Sequence, residues 1–228
     1  MADTISIGTP PIAVSIRRSE RARRFSLRIS NADSTVNLTL PKRAAMNDAL
    51  DFLHRQEGWL RKNLAARPTL ILPKFGGQFL FRGADLQIRH TQGRSVKIAA
   101  GAIHVPGDPD RLGARLRGFC KVAARAQLVD NAEFYAYTLG KSLGKITLRD
   151  TRSRWGSCSS EGNLMFSWRL IMAPPEVLSY VAAHEVAHMI EMNHSADFWR
   201  LVDSLLPEYK SQRRWLKEHG ASLYAFRF

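Results

Sequence analysis

Apolar residues fall at every second position in three early stretches, IAVSIRR (12–18), RFSLRIS (24–30) and TVNLTLP (35–41). This is the period of half-buried strands, and it predicts antiparallel strands joined by short turns. Past Pro41 the period changes. In residues 44–66, Ala45, Ala49, Phe52, Leu53, Gln56, Trp59, Leu60 and Leu64 recur at helical spacing, an amphipathic helix that Pro68 closes. Short alternating runs return over residues 76–107, with Gly83, Gly93 and Gly101 at the turns of three or four more strands.

From Gly107 the helical period dominates. Asp108 is placed to cap a long helix that has Pro109 at its first position and runs to about Gly140. KITLRDT (145–151) and NLMFSWRLI (163–171) read as two strands around a loop, with the turn at SSEGN (159–163). Pro174 and Pro175 end the second strand and start a helix over residues 174–192, and two more helices over 195–206 and 208–219 close the chain. The pattern predicts an α+β fold. Residues 1–107 form a β-rich basic region with one helix, and residues 108–228 form a helical region with a small sheet.

A chain of 228 residues that is 45% hydrophobic and 24% charged buries a real core. Its start, MADTISIGTPP, has no basic flank followed by an apolar run, and no stretch approaches the ~20 apolar residues that span a bilayer. Cys120 and Cys158 lie far apart without a C-x-x-C. Two reduced thiols and no leader point to the cytoplasm and away from a membrane. Charge adds a second theme: 34 Lys and Arg against 20 Asp and Glu give a net +14, a field that attracts polyanions. Arg17, Arg18, Arg21, Arg23, Arg24 and Arg28 crowd the stretch 15–30, which makes these basic strands the candidate nucleic-acid surface. Phe25, Leu27 and Ile29 alternate with them, as a plain solvated sheet face also does.

The chemistry concentrates in HEVAHMIEMNH (184–194). On a helix His184 and His188 lie one turn apart on one face, so two neutral imidazoles can share a Zn²⁺ ion while Glu185 acts as base toward its water. A third protein ligand is required, with one position left open. His194 is the candidate, and a continuous helix would carry it about 9 Å along the axis and off the face. The backbone must therefore leave the helix between Ile190 and Asn193, with Asn193 in a left-handed conformation and Ser195 capping the next helix. Glu191, three residues past His188, is the alternative third ligand, or an acceptor that orients an imidazole.

SRWGSC (153–158), the run from Phe166 to Trp199, and PEYKSQRRWL (207–216) resemble the YgjP-like family of metal-dependent hydrolases, related to the SprT-like and WLM zinc metallopeptidases. The resemblance is strong over the last half and looser before it. It implies a zincin-like domain, His184, His188 and His194 as zinc ligands, and Glu185 as the catalytic base. The spacing is also similar to the metzincin pattern H-E-x-x-H-x-x-G-x-x-H, but Glu191 stands where that pattern has its turn glycine and no Met-turn follows. A zincin-type site needs a strand beside the helix for an extended peptide, and NLMFSWRLI is the candidate. Trp155 and Cys158 are candidates to line the cleft, while Tyr209, Arg213 or Arg214 is placed to meet the oxyanion.

These features predict a zinc metallopeptidase in which activated water attacks a polarised carbonyl of a peptide or protein substrate. Two other readings stand beside it. One is hydrolysis of a nucleotide phosphoanhydride in a basic pocket, and the other is a nucleic-acid-binding module with a non-catalytic zinc. The SprT-like relatives act on DNA-associated proteins, so the resemblance also admits a protease brought to its substrate by nucleic acid.

Overall fold

The computed structural model describes residues 3–30, 34–65, 69–151 and 153–228. Two compact units result, Met1–Pro68 and Thr69–Phe228.

In the first unit, β1 (Asp3–Ile7), β2 (Ile12–Ser19), β3 (Ser26–Ile29) and β4 (Val36–Pro41) precede α1 (Met46–Ala65). The sheet order is β1-β2-β4-β3. The uniformly antiparallel meander expected from the alternation is corrected here, because β2 and β4 run parallel, Ile16 facing Leu38. Burial accounts for it. Val36, Leu38 and Leu40 are all buried, so β4 takes the interior, while the four-residue β3 is left at the edge, antiparallel to β4. β1 was not foreseen, its alternation resting only on Ile5 and Ile7. Ala49, Leu53 and Leu60 turn the predicted face of α1 into the core, but Trp59 stays 45% exposed. The expected stop at Pro68 lies outside the described residues. The arginines of stretch 15–30 are exposed, Arg17 and Arg28 on the sheet face opposite the core, while Arg18 donates to the carbonyls of Lys42 and Ala44 at 2.9 and 2.8 Å.

The second unit begins with β5 (Gln78–Phe81), β6 (Ala84–Thr91), β7 (Lys97–Ala99) and β8 (Ala102–Pro106), in the order β5-β6-β8-β7. Gly83, Gly93 and Gly101 hold positive φ at the predicted turns. Asp108 caps a short 3-10 turn, Pro109–Arg111, that leads into α2 (Leu112–Thr138). A second sheet of β9 (Ile146–Arg149), β10 (Gly156–Cys158) and β11 (Leu164–Ser167) follows, then α3 (Pro175–Ala187), α4 (Ala196–Leu205) and α5 (Tyr209–His219).

A division near Gly107 was expected, and it falls inside this second unit. The first four-stranded sheet cannot be separated from the helices, because Phe79, Phe81, Ile88, Ile103 and Val105 bury into one core with Leu116, Leu128, Phe166 and Val181. The β5–β6 turn also hydrogen-bonds the chain just before α3: Arg82 N–H donates to Ile171 at 2.9 Å and Gly83 N–H to Met172 at 3.0 Å. Sequence period changed at Gly107 while the core did not.

NLMFSWRLI also departs from its reading. Only Leu164–Ser167 is strand, and Trp168–Met172 coil into a 3-10 turn whose five residues are all buried. Within it Arg169, 9% exposed, pairs with Asp150 at 2.7 Å and donates to the carbonyls of Leu223 and Phe226 at 3.1 Å. A buried charge needs such partners, and these fix the C-terminal segment against the second sheet. No described helix is long and apolar enough to cross a membrane.

Candidate metal centre

α3 is apolar on every side. Val177, Leu178, Val181, Ala182, Ala183, Val186 and Ala187 are all buried, and Pro175 at its first turn needs no N–H partner. A helix packed all round places any polar residue it carries inside the protein. That is how Glu185 comes to be 6% exposed and His188 9% exposed.

The helix ends at Ala187, before the exit expected between Ile190 and Asn193, with His188 as its C-cap in the αR region. Residues 188–190 continue as a turn, where Ile190 N–H and Glu191 N–H both donate to Ala187 at 3.1 and 3.0 Å. Asn193 does not take the left-handed conformation predicted for it; its side chain instead accepts from Ser195 N–H at 3.2 Å. Ser195 caps α4 as expected, accepting from Phe198 N–H. The early exit from the helix is what returns His194 to the face of the other two histidines.

One nitrogen from each of His184, His188 and His194 lies within 4.8 Å of the other two. The Nε2 atoms of His184 and His194 are 3.1 Å apart. Nitrogens bound to one tetrahedral zinc at about 2.0–2.1 Å stand about 3.3 Å apart, so this pair already has the spacing of shared ligands. His188 Nδ1 lies 2.9 Å from the Glu191 carbonyl. An N–H donated there fixes the tautomer and leaves the Nε2 lone pair free, so Glu191 orients the ring through its backbone carbonyl, while its carboxylate is not part of the three-histidine group. Nδ1 of His184 is buried without a partner among the described residues. Such an orphan costs about 1–3 kcal/mol and earns nothing for the fold, which fits a ring held in place for its other nitrogen. Phe198 stacks on His188 at 4.5 Å and Trp199 on His194 at 5.7 Å, so aromatic rings hold the cluster from the α4 side.

Electrostatics favour the neutral rings that metal binding needs. Burial, then His188, His194 and Arg213, pull His184 down to about 3. His194 is lowered as well, by burial first. Glu185 moves the other way, pushed up to about 7 by burial against a smaller opposing pull from Arg154.

Glu185 also explains SRWGSC, a stretch that the alternation puts in the loop between two strands. Gly156–Cys158 form β10, and a Cβ added at Gly156 would stand 2.5 Å from both Cγ and Oε1 of Glu185. Only glycine lets the strand pass so close to the carboxylate. No pattern rule flagged Gly156; its signal was a glycine inside a three-residue strand, the mark of a close approach. Cys158, two residues on, is raised to about 11 by burial and by Glu185, so it is a thiol at neutral pH.

The strand expected to receive substrate is corrected. β11 lies between β10 and β9, with both edges taken, and β10 is the strand left free at the helix side. Ser167 N–H donates to Trp155 at 2.8 Å and Ser159 N–H to Asn163 at 2.9 Å. By antiparallel alternation the N–H and C=O of Gly156 and Cys158 therefore point to the free edge.

Of the remaining candidates, Tyr209 is buried and stacks on Trp199 at 5.4 Å, within the ring cluster beside His184. Arg214 is exposed on α5. Its neighbour Arg213 lies over the Trp199 ring at 4.3 Å and acts on His184 and His194. Trp155 turns away from Glu185, packing on Tyr224 at 5.2 Å and against Gly220.

A family model described as YgjP-like, metallopeptidase domain, matches residues 23–219. Among curated proteins, none matches the sequence. A solved structure, the metallopeptidase zymogen of Pyrococcus abyssi abylysin, is 23% identical, with a TM-score of 0.37, over 40% of this chain and 93% of its own.

Proposed function

The chain belongs to the YgjP-like metallopeptidase family, a family of metal-dependent peptidases, and from that premise we propose that it is a zinc-dependent peptidase with His184, His188 and His194 as ligands and Glu185 as base. The observation that carries the proposal is the convergence of three histidine nitrogens beside a buried carboxylate. A ligand set of three imidazoles suits zinc, whereas phosphoanhydride chemistry uses Mg²⁺ held by carboxylates, and a structural zinc has four protein ligands. When bound, zinc supplies a Lewis acid that polarises the scissile carbonyl and acidifies a water.

The protein's own groups do the rest. An extended peptide adds to the free edge of β10 through the outward N–H and C=O groups of Gly156 and Cys158, which sets the scissile bond over α3. Glu185, held near pH 7 by burial, takes the proton from the attacking water at a carboxylate oxygen and gives it to the leaving amide nitrogen. Of the three candidates for the oxyanion, Tyr209, Arg213 and Arg214, it is Arg213, anchored on Trp199, that supplies positive charge where the carbonyl oxygen becomes negative. The two free thiols suit a reducing, cytoplasmic setting.

Elemental analysis of the purified protein and of His194→Ala tests the ligand set. About one zinc per chain is expected for the native protein, with affinity falling by more than roughly 100-fold in the variant, beyond the 10–100-fold lost when only a ligand's supporting group is removed. Full occupancy in His194→Ala, or no zinc after growth with ample metal, refutes it.

A further inference from the structure

The outer face of the first sheet of the second unit carries two cationic side chains, Arg89 and Lys97, in one transverse row with His104 between them. Arg89 on β6 is the register partner of His104 on β8, and His104 is the partner of Lys97 on β7. Partners across a sheet share a face, and Ile88 and Ile103, one position away, are fully buried on the other. At about 4.8 Å per strand the row extends across about 10 Å.

Beside it the loop between β6 and β7 walls a hollow of about 220 Å³, lined by Thr91, Gln92, Arg94, Ser95, Lys97 and His104, with no acidic residue among its lining. Among the described residues neither Arg89, Arg94 nor Lys97 has an ion-pair partner. Arg115 backs the loop, donating to the Arg94 carbonyl at 3.5 Å, and its Nε is buried and unpartnered. Arg115 also lines a neighbouring hollow of about 360 Å³ with Arg111 and Ala114.

We propose that this face binds the phosphodiester backbone of a nucleic acid, with Arg89, Arg94 and Lys97 on successive phosphates. Unpaired cations side by side repel one another, and a chain of net charge +14 gives them no relief. A linear polyanion relieves that repulsion and releases its own counterions, and a row matches it better than it matches a compact anion. Thr91, Gln92 and Ser95 add neutral groups able to hydrogen-bond phosphate oxygens. No Phe, Tyr or Trp lines the hollow, so phosphate contacts outweigh base stacking and the binding is independent of sequence. The site differs from the arginines of stretch 15–30, which lie in the other unit, and it does not depend on the metal centre.

The test is fluorescence anisotropy with a labelled, mixed-sequence single-stranded DNA of about twenty nucleotides, enough to overfill a site of this kind. The full chain is compared with Arg94→Gln/Lys97→Gln, with the charge-preserving Arg94→Lys/Lys97→Arg, and with Arg17→Gln/Arg28→Gln. Loss of two phosphate contacts lowers the salt slope by about 1.4 and weakens binding about 25-fold at 0.1 M salt. The charge-preserving pair restores binding, and the pair in the first unit stays within about twofold of native on the same scale. Native-like binding by Arg94→Gln/Lys97→Gln overturns the proposal. So does an equal loss in Arg17→Gln/Arg28→Gln, which assigns the attraction to net charge. Binding to phosphatidylserine vesicles that needs Arg94 and Lys97, without binding to DNA, assigns the face to a membrane surface and overturns it as well.

Discussion

Glu185→Gln separates what the site costs the fold from what it does. Burial lifts the carboxyl from its ordinary 4.5 to about 7, with Arg154 opposing, so keeping the ion inside the folded protein is unfavourable. At about 1.4 kcal/mol per pH unit, the displacement is worth about 3 kcal/mol. Below pH 4.5 the carboxyl is protonated in folded and unfolded chains alike, and the native protein bears none of this cost. Between 4.5 and 7 the unfolded chain releases the proton and the folded one keeps it, so stability falls as pH rises; above 7 the full loss is present. Glutamine has the same shape and cannot ionise. Its stability relative to native should therefore climb by about 3 kcal/mol from pH 4.5 to 8.5, whatever constant offset its amide introduces. The assay is denaturant unfolding of metal-free protein in EDTA at both pH values, reading the difference between native and variant. Zinc-loaded variant should also have no peptidase activity. A pH-independent difference, or a native protein that gains on the variant toward pH 8.5, would show that Glu185 is not held in a desolvated site and would remove the physical basis for its role as base.

Gly156→Ala places a methyl 2.5 Å from the Glu185 carboxylate, which must move; peptidase activity should drop about 100-fold, the cost of misplacing a reacting group by about 1 Å. Its zinc content should stay near native, and unchanged turnover would show that the carboxylate needs no fixed position. Metal-free protein should weaken in acid through His184, whose folded pKa near 3 lies below the ordinary 6.5, so that stability present above 6.5 is lost as pH falls. The loss is about 2 kcal/mol by pH 5 and should be absent in His184→Asn; equal acid sensitivity of the two proteins in denaturant titrations would count against it.

Much of the site was legible because its signal is local. His184, Glu185 and His188 need only the helical period, and the apolar run around them says that the helix is buried. His194 could be inferred because a continuous helix excludes it, though where the helix ends was misplaced. Asn193 looked like the left-handed residue, but the turn at 188–190 is built from hydrogen bonds to Ala187 and needs no positive φ. What remained hidden is long-range. Gly156 and Glu185 are far apart in sequence, and nothing in SRWGSC announces that a strand three residues long will lie against α3. The expectation that NLMFSWRLI has an edge open to a peptide missed for the same reason: length and hydrophobicity mark a central strand, whereas the open edge belongs to the shorter and more polar β10. That one core extends across Gly107 was hidden likewise, since Phe79 and Ile88 alternate like any strand residues and only packing assigns them to the core of α2 and α3.

The same apolar burial performs two opposite operations in this helix. Desolvation penalises whichever form of a group is charged, so it lowers His184 and His194 and raises Glu185. Neutral imidazoles are what a zinc ion needs, and a carboxyl that exchanges its proton near pH 7 is what a base needs at neutral pH. One physical cause therefore prepares both partners, provided the strand beside them leaves room for the carboxylate. Gly156 supplies that room, and its neighbour Cys158 shows the limit of the effect: the burial that readies Glu185 drives the thiol up to about 11, out of use as a nucleophile. Of these groups His184, His194 and Glu185 are the ones whose protonation burial turns toward the metal-assisted hydrolysis proposed above.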